Sequence, residues 1–266
     1  MSSLLSRVAV AAAGLPIVLF AAYYGSWALL VVVAIVAVLA LHELYQMARS
    51  LRPLVLAGYA GAVGAVVGAS VGGVEWMLGG IALALLLSFV FAAVSETRQS
   101  TTVAVATTVL GAVWVGLGLG CIVLVRDLEP EGRLALITVL LTVFVADTFA
   151  YFGGRLAGRH KLAPVISPGK TWEGLVAGLV GGILTTWIAV YEQPLLTEGW
   201  EPFVLGAAIV IAAVCGDLFE SMVKRDLGVK DSGRVLLGHG GILDRVDSLV
   251  FAGPAAYFAL LALGQV

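Results

Sequence analysis

Charge is scarce in this chain. Only 12% of its 266 residues are Asp, Glu, Lys or Arg, against 61% hydrophobic, whereas an average soluble domain carries roughly 25% charged residues. The deficit excludes an ordinary soluble domain, because the apolar runs lack the polar face that a surface helix needs. Strict alternation of apolar and polar residues is missing too, which excludes a transmembrane barrel. Cysteine is nearly absent. Cys121 and Cys215 both lie inside apolar runs and read as small buried hydrophobes rather than a disulfide or a metal pair. No convincing internal repeat emerges, so an inverted-repeat transporter has no positive support. The net charge of −2 says little about partners, and nucleic acid is not among those expected.

What the chain has is length in its apolar runs. Mean hydropathy is +1.05, and repeated runs of about 18 or more apolar residues predict an all-α, polytopic integral membrane protein. Nine spans are expected, near 6–24, 26–46, 53–72, 76–95, 101–125, 133–153, 171–191, 202–222 and 247–264. The N-terminal MSSLLSRVAVAAAGLP is read as part of a retained first helix, because the apolar character continues with no clean cleavage region. Spans three to five are rich in Gly and Ala, which permits close helix approach in lipid.

Lys and Arg set the orientation. With the N-terminus in the cytosol, thirteen of the fifteen basic residues fall inside and only Arg126 and Arg133 outside, a strong positive-inside bias. An odd number of spans then puts the C-terminus outside. Two internal loops, 154–170 and 223–246, hold nine of the fifteen. Residues 1–130 are read as scaffold and 131–266 as the catalytic region that carries those loops.

Acids stand where lipid should forbid them. An ionisable side chain at mid-span costs at least about 2.5–3.5 kcal/mol, so it usually faces a polar cavity. Asp147, Asp217 and Glu220 sit inside or at the cytosolic halves of spans six and eight; Glu173 opens span seven, and Asp244 and Asp247 open span nine. Asp217, Glu220, Ser221 and Lys224 follow an i, i+3, i+4, i+7 pattern and share one helix face, as do Asp244 and Asp247. Convergent carboxylates repel unless a cation sits between them. Oxygen ligands, with few histidines and no usable thiols, suit Mg²⁺ or a similar hard cation. The trio Asp217, Asp244 and Asp247 is the expected metal set. Blander roles remain open: Asp147 as an interhelical hydrogen-bonder, Glu220 as the partner of Lys224, and Glu173 as a first-turn residue on the helix dipole.

Bases interleave with these acids in KRDLGVKDSGR and DRVD. Attraction to anionic lipid does not need the interleaved acids. Lys224, Arg225, Lys230 and Arg245, with Gly240, Gly241 and His239, suit a polyphosphate carrying its metal, since Arg offers forked donors and Gly lets backbone N–H groups approach. A second segment, SPGKTWEG at 167–174, does not match a phosphate-binding P-loop, because Pro164 stands where a glycine is required. It reads as a loop entering span seven, with Thr171 as the cap and with Ser167 and Lys170 able to meet an anion.

The segments SMVKR at 221–225, KDSG at 230–233 and HGGILDRVD at 239–247, with SPGKTWEG and DTFAYFGGR at 147–155, resemble the signature of phosphatidate cytidylyltransferases, also called CDP-diacylglycerol synthases. The likeness is strong over 140–250. Leu237 departs from it, standing where Pro, Gly or Ser is expected.

The resemblance implies a membrane enzyme, commonly a homodimer, that joins CTP to phosphatidic acid with Mg²⁺ and releases pyrophosphate, a monovalent cation such as K⁺ assisting. It implies a metal role for Asp217, Asp244 and Asp247, which with Lys224 form the expected catalytic set. Ser167, Lys170, Ser221, Arg225, Lys230, His239, Gly240, Gly241, Arg245 and Asp147 form the expected substrate-binding set. The site would face the cytosol from a bacterial-type plasma membrane. Three other readings compete: a CTP-dependent polyprenol or dolichol kinase, a cation-coupled transporter and a structural scaffold.

Overall fold

The computed structural model describes residues 14, 16–95, 100–196, 198–233 and 240–264. Helix dominates, as hydropathy predicts. After a helical stretch at 16–24, the elements are α1 (Ser26–Met47), α2 (Val55–Val94), α3 (Thr101–Arg126), α4 (Gly132–Ala157), β1 (Lys161–Ala163), β2 (Ser167–Thr171), α5 (Trp172–Val190), α6 (Glu201–Asp226) and α7 (Leu243–Ala262). All seven numbered helices are long and apolar enough to cross a membrane. Their many outward-facing Leu, Val, Ile and Phe side chains, such as Phe89, Phe144 and Ile188, suit a lipid solvent. The chain is a polytopic helical membrane protein.

Seven such helices stand among the described residues where nine spans are expected, and two features separate the counts. Nine of the nineteen residues of the first expected span, 6–24, lie outside the described residues, and residue 14 with the helical stretch at 16–24 is what remains. The third and fourth, expected at 53–72 and 76–95, are the two halves of α2, which part at Gly72 and Gly73, where the backbone leaves helical geometry and Gly73 takes φ +69°. The two halves then fold back on each other. A Cβ at Gly61 would collide with Ala84, one at Gly64 would lie 3.3 Å from Gly80, and one at Gly68 would strike the Trp76 carbonyl. Small residues let these backbones touch, as helix packing in lipid requires.

A second difference is local. The segment expected as a loop before span seven is an antiparallel hairpin, with Lys161 opposite Thr171 and Ala163 opposite Ser167. Among the described residues the helical architecture thus carries one two-stranded sheet. Its short strands rest on backbone pairing, which a hydropathy reading does not register. A third difference concerns the cysteines: Cys121 is buried, but Cys215 is exposed on α6, where lipid accommodates a thiol as readily as a core does.

The chain forms two compact units, one of Met1–Leu124 with Leu227–Val246 and the other of Val125–Asp226 with Asp247–Val266. In the first, the buried Tyr45 hydroxyl on α1 donates to the Thr108 carbonyl at 2.8 Å, and Thr108 Oγ1 accepts from the Leu54 amide at 2.7 Å. Gly58 and Gly111 leave the space that the Tyr45 ring fills. A π-helical turn at Ala112–Leu117 brings Gly116 against Ala62 of α2; such single turns carry one extra residue per helical repeat.

In the second unit, α4 and α5 pack through Gly153, Gly174, Gly178 and Gly182, and a Thr142–Thr186 hydroxyl pair bonds at 2.8 Å in the buried seam. Gly206 admits α6 against Ile183 and Thr186 of α5, and Gly216 admits the Asp247 carbonyl of α7. Phe219 and Phe251 stack nearby, their rings 5.6 Å apart. These close approaches bring the polar ends of α4, α5, α6 and α7 together.

Candidate active site

The second unit gathers its charge from four elements. Thr171 closes β2 and caps α5, its Oγ1 accepting from the Gly174 amide at 3.1 Å. The cap fixes the chain direction one residue after Lys170. Lys170 Nζ then lies 2.8 Å from Asp217 Oδ2 on α6, both side chains partly accessible. One turn on, Ser221 Oγ donates to Asp217 Oδ1 at a long 3.4 Å. Lys224 Nζ donates to Glu220 Oε2 at 2.8 Å, with both side chains largely buried. The 3.6-residue period places all four residues on one face.

Asp247 joins from α7. It is buried; its Oδ1 accepts from the Ser248 amide at 2.8 Å, and the Glu220 carboxyl acts on it from α6. Asp147 approaches from α4. The charges of Asp147 and Asp217 both act on Asp247, and Lys170 acts on Asp147. Four carboxylates therefore meet two ammonium groups. With every group ionised the set carries an excess of two negative charges, and each donor beyond the lysines is an oxygen. That chemistry fits a hard divalent cation. Among the described residues, however, no three His, Cys, Asp or Glu side chains stand close enough to ligate one ion as a group. Lys170 and Lys224 hold Asp217 and Glu220 instead.

Asp244 belongs to the first unit. Its Oδ2 accepts from the Gly241 amide at 2.7 Å and from the Ser232 amide at 3.2 Å, so the carboxylate ties the start of α7 back onto the preceding segment. Gly240 takes φ +79° there, and a Cβ on it would lie 2.6 Å from Asp244 Oδ2. Gly241 is buried against Ser232 and Glu43. Helix α7 begins at Leu243, earlier than the expected 247, so Asp247 stands in its second turn rather than at its mouth.

The other expected residues are more dispersed. Ser167 is half-buried at the far end of β2 from Lys170, and Arg225, Lys230 and Arg245 are exposed. His239 and Leu237 lie outside the described residues. Glu173 stays apart from the acidic set: its carboxylate accepts from the His160 amide at 3.2 Å and meets His160 Nδ1 at 2.6 Å. This is a first-turn role that also pins the entry to the hairpin.

One residue escaped the sequence reading. Glu43 on α1 is buried, accepting from Ser232 Oγ at 3.2 Å and from the Leu243 amide at 2.9 Å. The signal was present, since an acid interrupts the apolar run LALHELYQM, but it stands in the half of the chain read as scaffold.

Comparison with known proteins adds an independent line. A model described as the cytidylyltransferase family matches residues 5–263. Among curated proteins, the chain is similar to phosphatidate cytidylyltransferases from Haemophilus influenzae (43% identity over 138 residues, 50% of this chain and 48% of the relative), Brucella melitensis (42% over 147 residues, 55% and 54%) and Pseudomonas aeruginosa (39% over 163 residues, 58% and 60%). The chain thus spans about half the length of the curated relatives it matches.

Proposed function

The chain belongs to the cytidylyltransferase family, and from that premise we propose that it transfers a cytidylyl group from CTP to phosphatidic acid, yielding CDP-diacylglycerol and pyrophosphate. The observation that carries the reading is the meeting of Asp147, Asp217, Glu220 and Asp247 with Lys170 and Lys224, from the C-terminal halves of α4 and α6, the end of β2 and the second turn of α7. An acidic, lysine-bearing site at that place suits a polyphosphate whose acceptor stays in the bilayer. The names of the relatives support the choice of substrates.

The reaction needs no protein nucleophile. A phosphate oxygen of phosphatidic acid attacks the α-phosphorus of CTP, the new P–O bond forms, and the bond to the β-phosphate breaks as pyrophosphate leaves. The protein supplies alignment and charge. Asp217 and Asp247, with Asp244 one turn earlier on α7, are the residues that would hold Mg²⁺. When bound, that ion supplies neutralising charge for the triphosphate and its leaving pyrophosphate. Lys170, placed by the Thr171 cap, presents an ammonium that serves Asp217 and phosphate oxygens alike. Lys224 keeps the buried Glu220 compensated beside Asp247. Arg225, Lys230 and Arg245, all exposed, receive outer phosphate oxygens, and His239, Gly240 and Gly241 contribute from the segment before α7. The proposal also includes a cytosolic site in a bacterial-type plasma membrane, argued from the distribution of Lys and Arg, with a homodimeric assembly and an assisting K⁺ as the resemblance implies.

The test is direct. Purified protein in detergent, given labelled CTP, phosphatidic acid and Mg²⁺, should release pyrophosphate and label the lipid as CDP-diacylglycerol. Formation of CDP from a polyprenol would support the lipid-kinase reading instead. Cation flux in liposomes without CTP consumption would support the transporter.

A further inference from the structure

Glu43 lies about 190–200 residues away in sequence from the groups it binds, on a helix of the N-terminal half. Its Oε2 takes the Ser232 hydroxyl and the Leu243 amide together. Leu243 is the first residue of α7, so the carboxylate satisfies one of the N–H groups that a helix start leaves over, at the end that favours negative charge. Ser232 works in two directions: its hydroxyl donates to Glu43, and its backbone amide donates to Asp244. One serine therefore couples the two carboxylates. The fit is close on every side. A Cβ at Gly241 would collide with Ser232 Oγ and the Glu43 carboxylate, and one at Gly233 would run into the same carboxylate.

Cohesion alone is a poor account of this arrangement. Glu43 Oε1 is buried with no hydrogen-bond partner among the described residues, and an unsatisfied buried polar atom opposes folding. An apolar side chain would pack against α7 without that cost. What an apolar side chain cannot do is fix the direction of the Leu243 N–H and the rotamer of Ser232, and those two set where Asp244 lies.

We infer that Glu43 is a positioning residue for the reaction: it anchors the first turn of α7 and the Ser232 hydroxyl, and so holds Asp244 in place. The inference rests on the cytidylyl-transfer reading, in which Asp244 serves the metal–triphosphate complex.

The experiment uses full-length protein in detergent and compares E43A with E43Q. Glutamine keeps the length and one acceptor oxygen; alanine keeps neither. E43A should lose at least tenfold in kcat and need several-fold more Mg²⁺ for half-maximal rate, with KM for phosphatidic acid unchanged, and E43Q should recover most of both. Amide exchange at Leu243 should be faster in E43A than in wild type. Unchanged Mg²⁺ dependence in an active E43A, or E43Q no better than E43A, overturns the inference. If E43A does not fold, E43D, whose carboxylate falls one methylene short, takes its place with the same expected split. If wild type makes no CDP-lipid, the functional reading fails on its own, and amide exchange at Leu243 still decides the anchor: unchanged exchange in the variant removes it.

Discussion

Lys170 Nζ and Asp217 Oδ2 stand 2.8 Å apart, one on a β-strand and the other on a membrane-crossing helix. Neither side chain is fully buried, so the pair adds little to stability. Its value is positional, because it brings an ammonium group beside the acidic set. Lys170→Met is expected to lower kcat/KM for CTP by about 10²–10³, the usual cost of removing one preorganised charge-stabilising donor. Its melting temperature should stay near that of wild type. An unimpaired turnover rate in the CTP assay would remove Lys170 from the site.

The buried pair on α6 behaves differently. Lys224 and Glu220 bond at 2.8 Å with their side chains 12% and 2% accessible. Removing one partner from such a pair strands the other charge and typically costs about 3–5 kcal/mol. Lys224→Met should therefore lower the thermal midpoint in detergent sharply, and Glu220→Gln added to it should restore much of the loss. Equal destabilisation by the single and double variants would contradict this account.

Asp247 is buried and lies within the electrostatic reach of two other carboxylates. Asp247→Asn keeps the shape and removes one negative charge. It should fold at least as well as wild type, since repulsion falls, and yet lose turnover by about 10³ or more if the charge holds the cation. Chelation of Mg²⁺ by EDTA should abolish wild-type turnover, and excess Mg²⁺ should restore it. Retained activity after exhaustive chelation would end the metal assignment.

Gly240 has φ +79°, and an added Cβ would meet Asp244 Oδ2 at 2.6 Å. Gly240→Ala faces both penalties, an unfavourable backbone conformation and a clash with the Asp244 carboxylate. Backbone strain of this kind costs about 1–3 kcal/mol. The expected outcome is a protein that inserts and folds, with activity reduced at least tenfold; wild-type kinetics would show that the segment adjusts freely.

Much of this structure was legible in the sequence where the physics is local. The faces of α6 follow from a fixed helical period, so Asp217, Glu220, Ser221 and Lys224 could be grouped from spacing alone. The Thr171 cap was likewise readable from the residues flanking it. The hairpin at 161–171 was not, because Pro168 and Gly169 give it the composition of a loop and its order comes from cross-strand pairing. The glycine break in α2 was readable, since it falls between the spans expected at 53–72 and 76–95. Glu43 was missed for a different reason: its partners lie near the other end of the chain, and no local pattern links LHELY to DSG. The separate setting of Asp244 was hidden too, since i, i+3 spacing with Asp247 says nothing about what each carboxylate accepts.

Thr171 is both the last residue of a strand and the cap of a helix. A lysine carried on a loose tether would surrender conformational freedom each time a nucleotide arrived, and that entropy would be subtracted from every encounter. Lys170 is one peptide bond from a rigid joint and has already made that sacrifice during folding. Lengthening the joint by a single glycine after Thr171 would leave every charge in the chain intact and, under the proposed function, still blunt capture of the nucleotide.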